Sequence, residues 1–155
     1  MLARATAVGL VVASLWATGG RPADAFMLVT PEEARAGAVE ERMALSTAPV
    51  DPRRMPSVLI DQPQQDNRYT APLDIRLRFV PTPGARIDPG SFRAYYGLFG
   101  LDITQRILQN ARLTEAGLVA SGANIPAGSH RIQVHIADTS GRSSQYQFSF
   151  VIDPR

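Results

Sequence analysis

Alternation of apolar and polar residues dominates the second half of the chain. Leu73, Ile75, Leu77 and Phe79 are separated by Asp74, Arg76 and Arg78, a period of two that gives a strand one apolar and one polar face. The same period runs through Phe92, Ala94 and Tyr96 with Arg93 and Tyr95 between them, from His130 to Ile136, and from Tyr146 to Ile152. Asp138-Thr139-Ser140-Gly141 joins the last two segments and predicts a hairpin. Ser57 to Asp61 predicts a short first strand, followed by a polar loop from Gln62 to Ala71. Gly97 and Gly100 bracket a turn, and Arg106 to Arg112 fits a strand or a helical turn equally well. Gly117 to Ile125 predicts a weaker strand, closed by Pro126-Ala127-Gly128. About seven short strands so spaced predict an all-β antiparallel β-sandwich over residues 57–155.

The period before Pro56 is helical. Thr30-Pro31-Glu32-Glu33 has the form of a capping box, with Thr30 as N-cap, Pro31 at the first helical position and Glu33 reaching back. It predicts a helix from Pro31 to about Leu45, whose apolar positions are mostly Ala and leave it little to bury. Pro49, Pro52 and Pro56 then predict an extended linker, so residues 26–56 read as a helical arm preceding the sandwich.

The first 25 residues carry a third pattern. Arg4 precedes an apolar run from Ala5 to Ala17, too short to span a bilayer but of the length of a signal-peptide core, and Ala23-Asp24-Ala25 supplies small-x-small cleavage chemistry. These residues predict export, with cleavage before Phe26 and a periplasmic or secreted product without a membrane span. The chain has no cysteine, which removes acylated anchoring, disulfides, thiol nucleophiles and thiolate metal sites.

Charge narrows the function classes. All 16 basic residues are Arg and the net charge is +2, but no basic run exceeds Arg53-Arg54, so the clustered stripe that nucleic-acid binding requires is missing.

Ile87-Asp88-Pro89-Gly90-Ser91-Phe92, Tyr96-Gly97, Asp102-Ile103-Thr104, Ile125-Pro126-Ala127-Gly128-Ser129-His130 and Asp138 with Gly141-Arg142 together resemble the bacterial immunoglobulin-like (cadherin-like) domains of exported proteins. The resemblance covers Pro56 to Ile152 and implies an immunoglobulin-like antiparallel β-sandwich of about seven strands but no site, because such domains serve as spacers, adhesion units and accessory modules. Two hallmarks are absent: there is no Cys pair, and Trp16, the only tryptophan, lies in the leader segment.

Candidate chemistry is sparse. His130 and His135 are five positions apart on one predicted strand, so His130 faces inward with Ile132 and Val134 while His135 faces outward, and they cannot share a metal. A copper carrier would have to draw on Met27, Met43, Met55 and a histidine. Ser129 beside His130, and Ser140 beside Asp138, do not form a nucleophile with an oriented base, and Asp88, Asp102 and Asp138 suit turns and caps. No enzyme and no cofactor are expected. What remains is a surface. The third, sixth and seventh strands of such a sandwich share a sheet, which places Arg93, Tyr95, Arg131, Gln133 and His135 outward, with Gln147 and Ser149 beside them. Alternation alone already demands polar residues there, so the face is a solvated one unless something further marks it. The expectation is therefore a non-catalytic exported interaction or accessory module whose partner is another envelope protein or a glycan. The alternative is a small-ligand carrier for a glycan or a metal such as copper.

Overall fold

The computed structural model of the chain describes residues 25–40 and 55–155. Its elements, in chain order, are β1 (Phe26–Met27), α1 (Pro31–Glu40), β2 (Ser57–Gln62), β3 (Arg68–Tyr69), β4 (Leu73–Val80), β5 (Ile87–Tyr96), β6 (Leu101–Asp102), α2 (Thr104–Leu108), β7 (Ala111–Thr114), β8 (Gly117–Asn124), β9 (Gly128–Asp138) and β10 (Ser143–Ile152). The predicted leader, the linker, Met43 and the predicted helical residues beyond Glu40 lie outside the described residues. The segment that fits a strand or a helical turn divides into both, as α2 and then β7.

Two sheets face one another. One runs β1-β8-β4-β2 with β7 also on β8, and the other runs β3-β10-β9-β5-β6. This is the immunoglobulin-like sandwich, in which consecutive strands are dealt between two layers. The inward residues are those the alternation nominates. Leu73, Ile75, Leu77 and Phe79 of β4 meet Phe92, Ala94, Ile132, Val134, Ile136, Phe148 and Phe150 of the other sheet, all buried. The segment read from sequence as a polar loop is more than a connection. After β2 pairs with β4, the chain crosses over and β3 pairs in parallel with the end of β10, so one stretch serves both sheets. At the start of β2 the Pro56 carbonyl accepts bonds from Ser144 Oγ and Tyr146 Oη on β10, tying the layers along that edge.

The sandwich has two distinct ends. The first holds the β5–β6 turn, the end of β8 and the start of β9, and here the arm enters the core. Phe26 and Met27 pair in parallel with Ala123 and Asn124, and Leu28 and Val29 are 0% exposed. The capping box forms, the Thr30 amide donating to Glu33 Oε2 at 2.8 Å and the Glu33 amide to Thr30 Oγ1 at 3.3 Å. The same Glu33 carboxylate receives both Nη1 and Nη2 of Arg106 on α2, at 2.7 and 2.8 Å. At the opposite end, buried Asp138 accepts from Thr82 Oγ1, Ser140 Oγ and the amides of Ser140 and Arg142, joining the β4–β5 connection to the β9–β10 turn.

Candidate binding face

β9 is the centre of the five-stranded sheet, and its outward residues alternate with the buried Ile132, Val134 and Ile136. Register places Tyr95, Gln133 and Gln147 in one row and Arg93, His135 and Gln145 in the next, while Arg131 pairs with Ser149. Thus Arg93, Tyr95, Arg131, Gln133 and His135 stand on the outer side of one sheet. Their exposure is uneven. Arg93, Gln145 and Gln147 are exposed, whereas Tyr95, Arg131, Gln133 and His135 are half-buried.

The half-burial has a chemical consequence. Among the described residues, Arg131 Nε and Nη1 and His135 Nε2 are shielded from solvent without a hydrogen-bond partner, and α1 packs against β9, the strand that carries them. Buried polar atoms are ordinarily paired, because desolvation without a bond costs about 1–3 kcal/mol, so three such nitrogens on one face mark it off from a simple solvated sheet. The Tyr95 ring meets the His135 ring edge to face with centroids 5.2 Å apart, which fixes both. Burial lowers the His135 pKa, favouring the neutral imidazole. Arg93 is spent locally, its Nη1 donating to the carbonyls of Gly90 and Phe92.

The remaining candidates take structural places. His130 is buried, with Nδ1 2.9 Å from Tyr96 Oη and Nε2 2.8 Å from the Pro126 carbonyl. A carbonyl only accepts, so Nε2 carries the proton and Nδ1 accepts from the tyrosine. Both ring nitrogens are therefore engaged. Asp88 accepts from the Gly90 amide, Asp102 from the Thr104 amide at the start of α2, and Asp138 anchors its turn. The Ser140 hydroxyl is bonded to Asp138, and Ser129 lies on the opposite face of β9 from His130. Among the described residues no three His, Cys, Asp or Glu side chains converge on a point, and Met27 and Met55 are exposed. No described helix is long and apolar enough to cross a membrane.

Sequence reasoning passed over two surface features. The β5–β6 turn displays Leu98, Phe99 and Leu101, with Phe99 89% exposed. Leu-Phe between two glycines at a predicted turn is the signal, since turns are normally polar. The outer side of the other sheet carries exposed Leu59, Val80 and Val119 among Arg76, Arg78 and Arg112, where alternation in β8 is too weak to separate its faces.

The chain matches no protein-family model and no curated protein. Among solved structures it is similar to CopC from Methylosinus trichosporium OB3b, at 16% identity and TM-score 0.45, over 64% of this chain and 96% of that one. It is similar to the endo-β-1,4-mannanase from Thermotoga petrophila at 8% identity and TM-score 0.47, over 66% of this chain and 20% of the enzyme. The fibronectin(III)-like modules of Clostridium thermocellum CbhA match at 15% identity and TM-score 0.44, over 64% of this chain and 47% of that chain. Likenesses of this depth identify no common function.

Proposed function

We propose that this protein is a non-catalytic, exported binding module of the cell envelope, whose outer β5-β9-β10 face receives an acceptor-rich partner, either an envelope protein or a glycan. The observation that carries the reading is the set of unpartnered, shielded nitrogens on Arg131 and His135. Only donors are left unmet in Arg131, because a guanidinium has no acceptor, and a carboxylate, carbonyl or sugar hydroxyl oxygen would satisfy it. Gln133 between them, and exposed Gln145 and Gln147 alongside, add amides suited to the polar rim of such a contact. The sites that nucleophilic or metal catalysis would need are occupied by caps, turns and a core histidine, which supports a binding rather than a chemical role. Export rests on residues 1–25. It would leave Phe26 as the first residue of β1, so that the new terminus begins in the sandwich.

Two experiments test this. Isothermal calorimetry against anionic and neutral envelope glycans, and a cross-linked pull-down from envelope extract, are run with the wild type, Arg131→Ala and His135→Ala. Expected is at least a tenfold loss with Arg131→Ala, since deleting one charged partner of a shielded pair costs about 2 kcal/mol or more. Glycan heats that are absent, together with a captured set unchanged by both substitutions, would sink the reading.

A further inference from the structure

A different surface carries a second kind of contact, independent of the β5-β9-β10 face. We propose that the protein associates head to tail with copies of itself, the Phe99 tip of one chain seating in a hollow between Arg78 and Arg112 of the next.

The tip comes first. β5 and β6 pair through Tyr95 with Asp102 and Tyr96 with Leu101, so Gly97 to Gly100 form a tight turn whose two glycines have φ of +70° and +66°. That left-handed backbone suits glycine and holds the turn in one shape. Among the described residues Phe99 is left 89% exposed, and Leu98 and Leu101 beside it are each 40% exposed. A large aromatic displayed on a braced turn has the character of an interface anchor.

The hollow lies on the outer side of the other sheet. Register sets Arg78, Gly117 and Thr114 in one row across β4, β8 and β7, and Arg76, Val119 and Arg112 in the next. Gly117 has to be glycine, because a Cβ there would stand 2.1 Å from the Leu77 carbonyl oxygen. The middle of its row therefore has no side chain, and a depression of about 220 Å³ opens above it, lined by Arg78, Arg112, Thr114, Ala116 and Val119. Apolar cavities of about 150 Å³ accept a benzene ring. Arg78 is held in place by a bidentate bond to Asp61 at 2.7 and 2.8 Å, and two guanidinium groups at the rim suit an aromatic ring by cation–π contact.

Position excludes an intramolecular fit and sets the geometry. Gly97 bonds to Arg131 near the start of β9, whereas Gly117 lies at the Asp138 end of the sandwich and in the other sheet. The seven residue steps of β9 from Arg131 to Asp138 span roughly 23 Å at strand rise. Knob and hollow at opposite ends make a heterologous contact, which propagates rather than closing as a two-fold dimer.

Sedimentation velocity of the purified protein from about 10 μM to about 1 mM reads this directly, a single-anchor contact being weak. Expected is a weight-average mass that climbs beyond the dimer. Phe99→Ser and, separately, Val119→Arg or Arg112→Glu should remain monomeric across the range, with unchanged circular dichroism. Mixing Phe99→Ser with Val119→Arg should yield a one-to-one dimer, because one retains the hollow and the other the knob. A monomeric wild type at 1 mM, a Phe99→Ser that associates like wild type, or a mixture that stays monomeric would each overturn the proposal. So would a monomeric protein whose Phe99 is required only for binding phosphatidylglycerol vesicles.

Discussion

Asp138 and Glu33 show how single carboxylates hold distant segments. Hydroxyl bonds from Ser140 and Thr82 keep the Asp138 carboxyl well below the usual carboxylate range. The Arg106 guanidinium, followed by the Thr30 capping bonds, outweighs burial and lowers Glu33 from 4.5 to about 2. A depressed folded-state pKa contributes stability that is present above the unfolded value and lost as pH falls. The Glu33 contribution is therefore complete above 4.5 and disappears between 4.5 and about 2. Glu33→Gln should remove the acid sensitivity of the arm in that window, read as hydrogen exchange at the Leu28 and Val29 amides. The pair is partly solvated, with Arg106 40% exposed, so its loss at neutral pH should cost about 1 kcal/mol or less. Asp138→Asn should lower the melting temperature at pH 7 and flatten its decline below the unfolded value of 3.8, because the amide cannot titrate.

At the scale of elements, two places concentrate the packing. β4 and β8 approach so closely at Gly117 that a methyl group meets the backbone of Leu77, and the strands must part to admit it. Gly117→Ala should therefore destabilise by about 1–3 kcal/mol, the range for overpacking, as measured by urea unfolding. The second place is the plug formed by Leu28 and Val29. Leu28→Ala leaves a cavity between β8 and β9 and should cost about 2–5 kcal/mol. A substitution on the exposed side of α1, such as Glu32→Ala, should change stability by less than about 0.5 kcal/mol. That contrast separates the part of the arm that packs from the part that does not. The capping box was readable as Thr-Pro-Glu-Glu, but a second bond to Glu33 from Arg106, 73 residues away, has no local sign.

For the whole molecule, the arm residues that pack and the sandwich should unfold in one transition, since Phe26 to Ala34 share the core with β8 and β9. Coincident melting by far-ultraviolet circular dichroism and by hydrogen exchange at Leu28 would show this, and a separate early loss at Leu28 would refute it. Period-two alternation in 73–79, 130–136 and 146–152 determined by itself the strands, their inward faces, the opposed directions of His130 and His135, and the all-β class. It did so because a strand buried on one side imposes that pattern locally. The tertiary structure alone decided which strands became neighbours, that 62–71 crosses between the sheets, and that Leu28 and Val29 plug one end. It also decided that nitrogens of Arg131 and His135 are shielded without hydrogen-bond partners among the described residues, and that the Phe99 tip and the Gly117 hollow lie at opposite ends. These depend on contacts between residues far apart in the chain, where register and layer packing, not local period, set what each side chain meets.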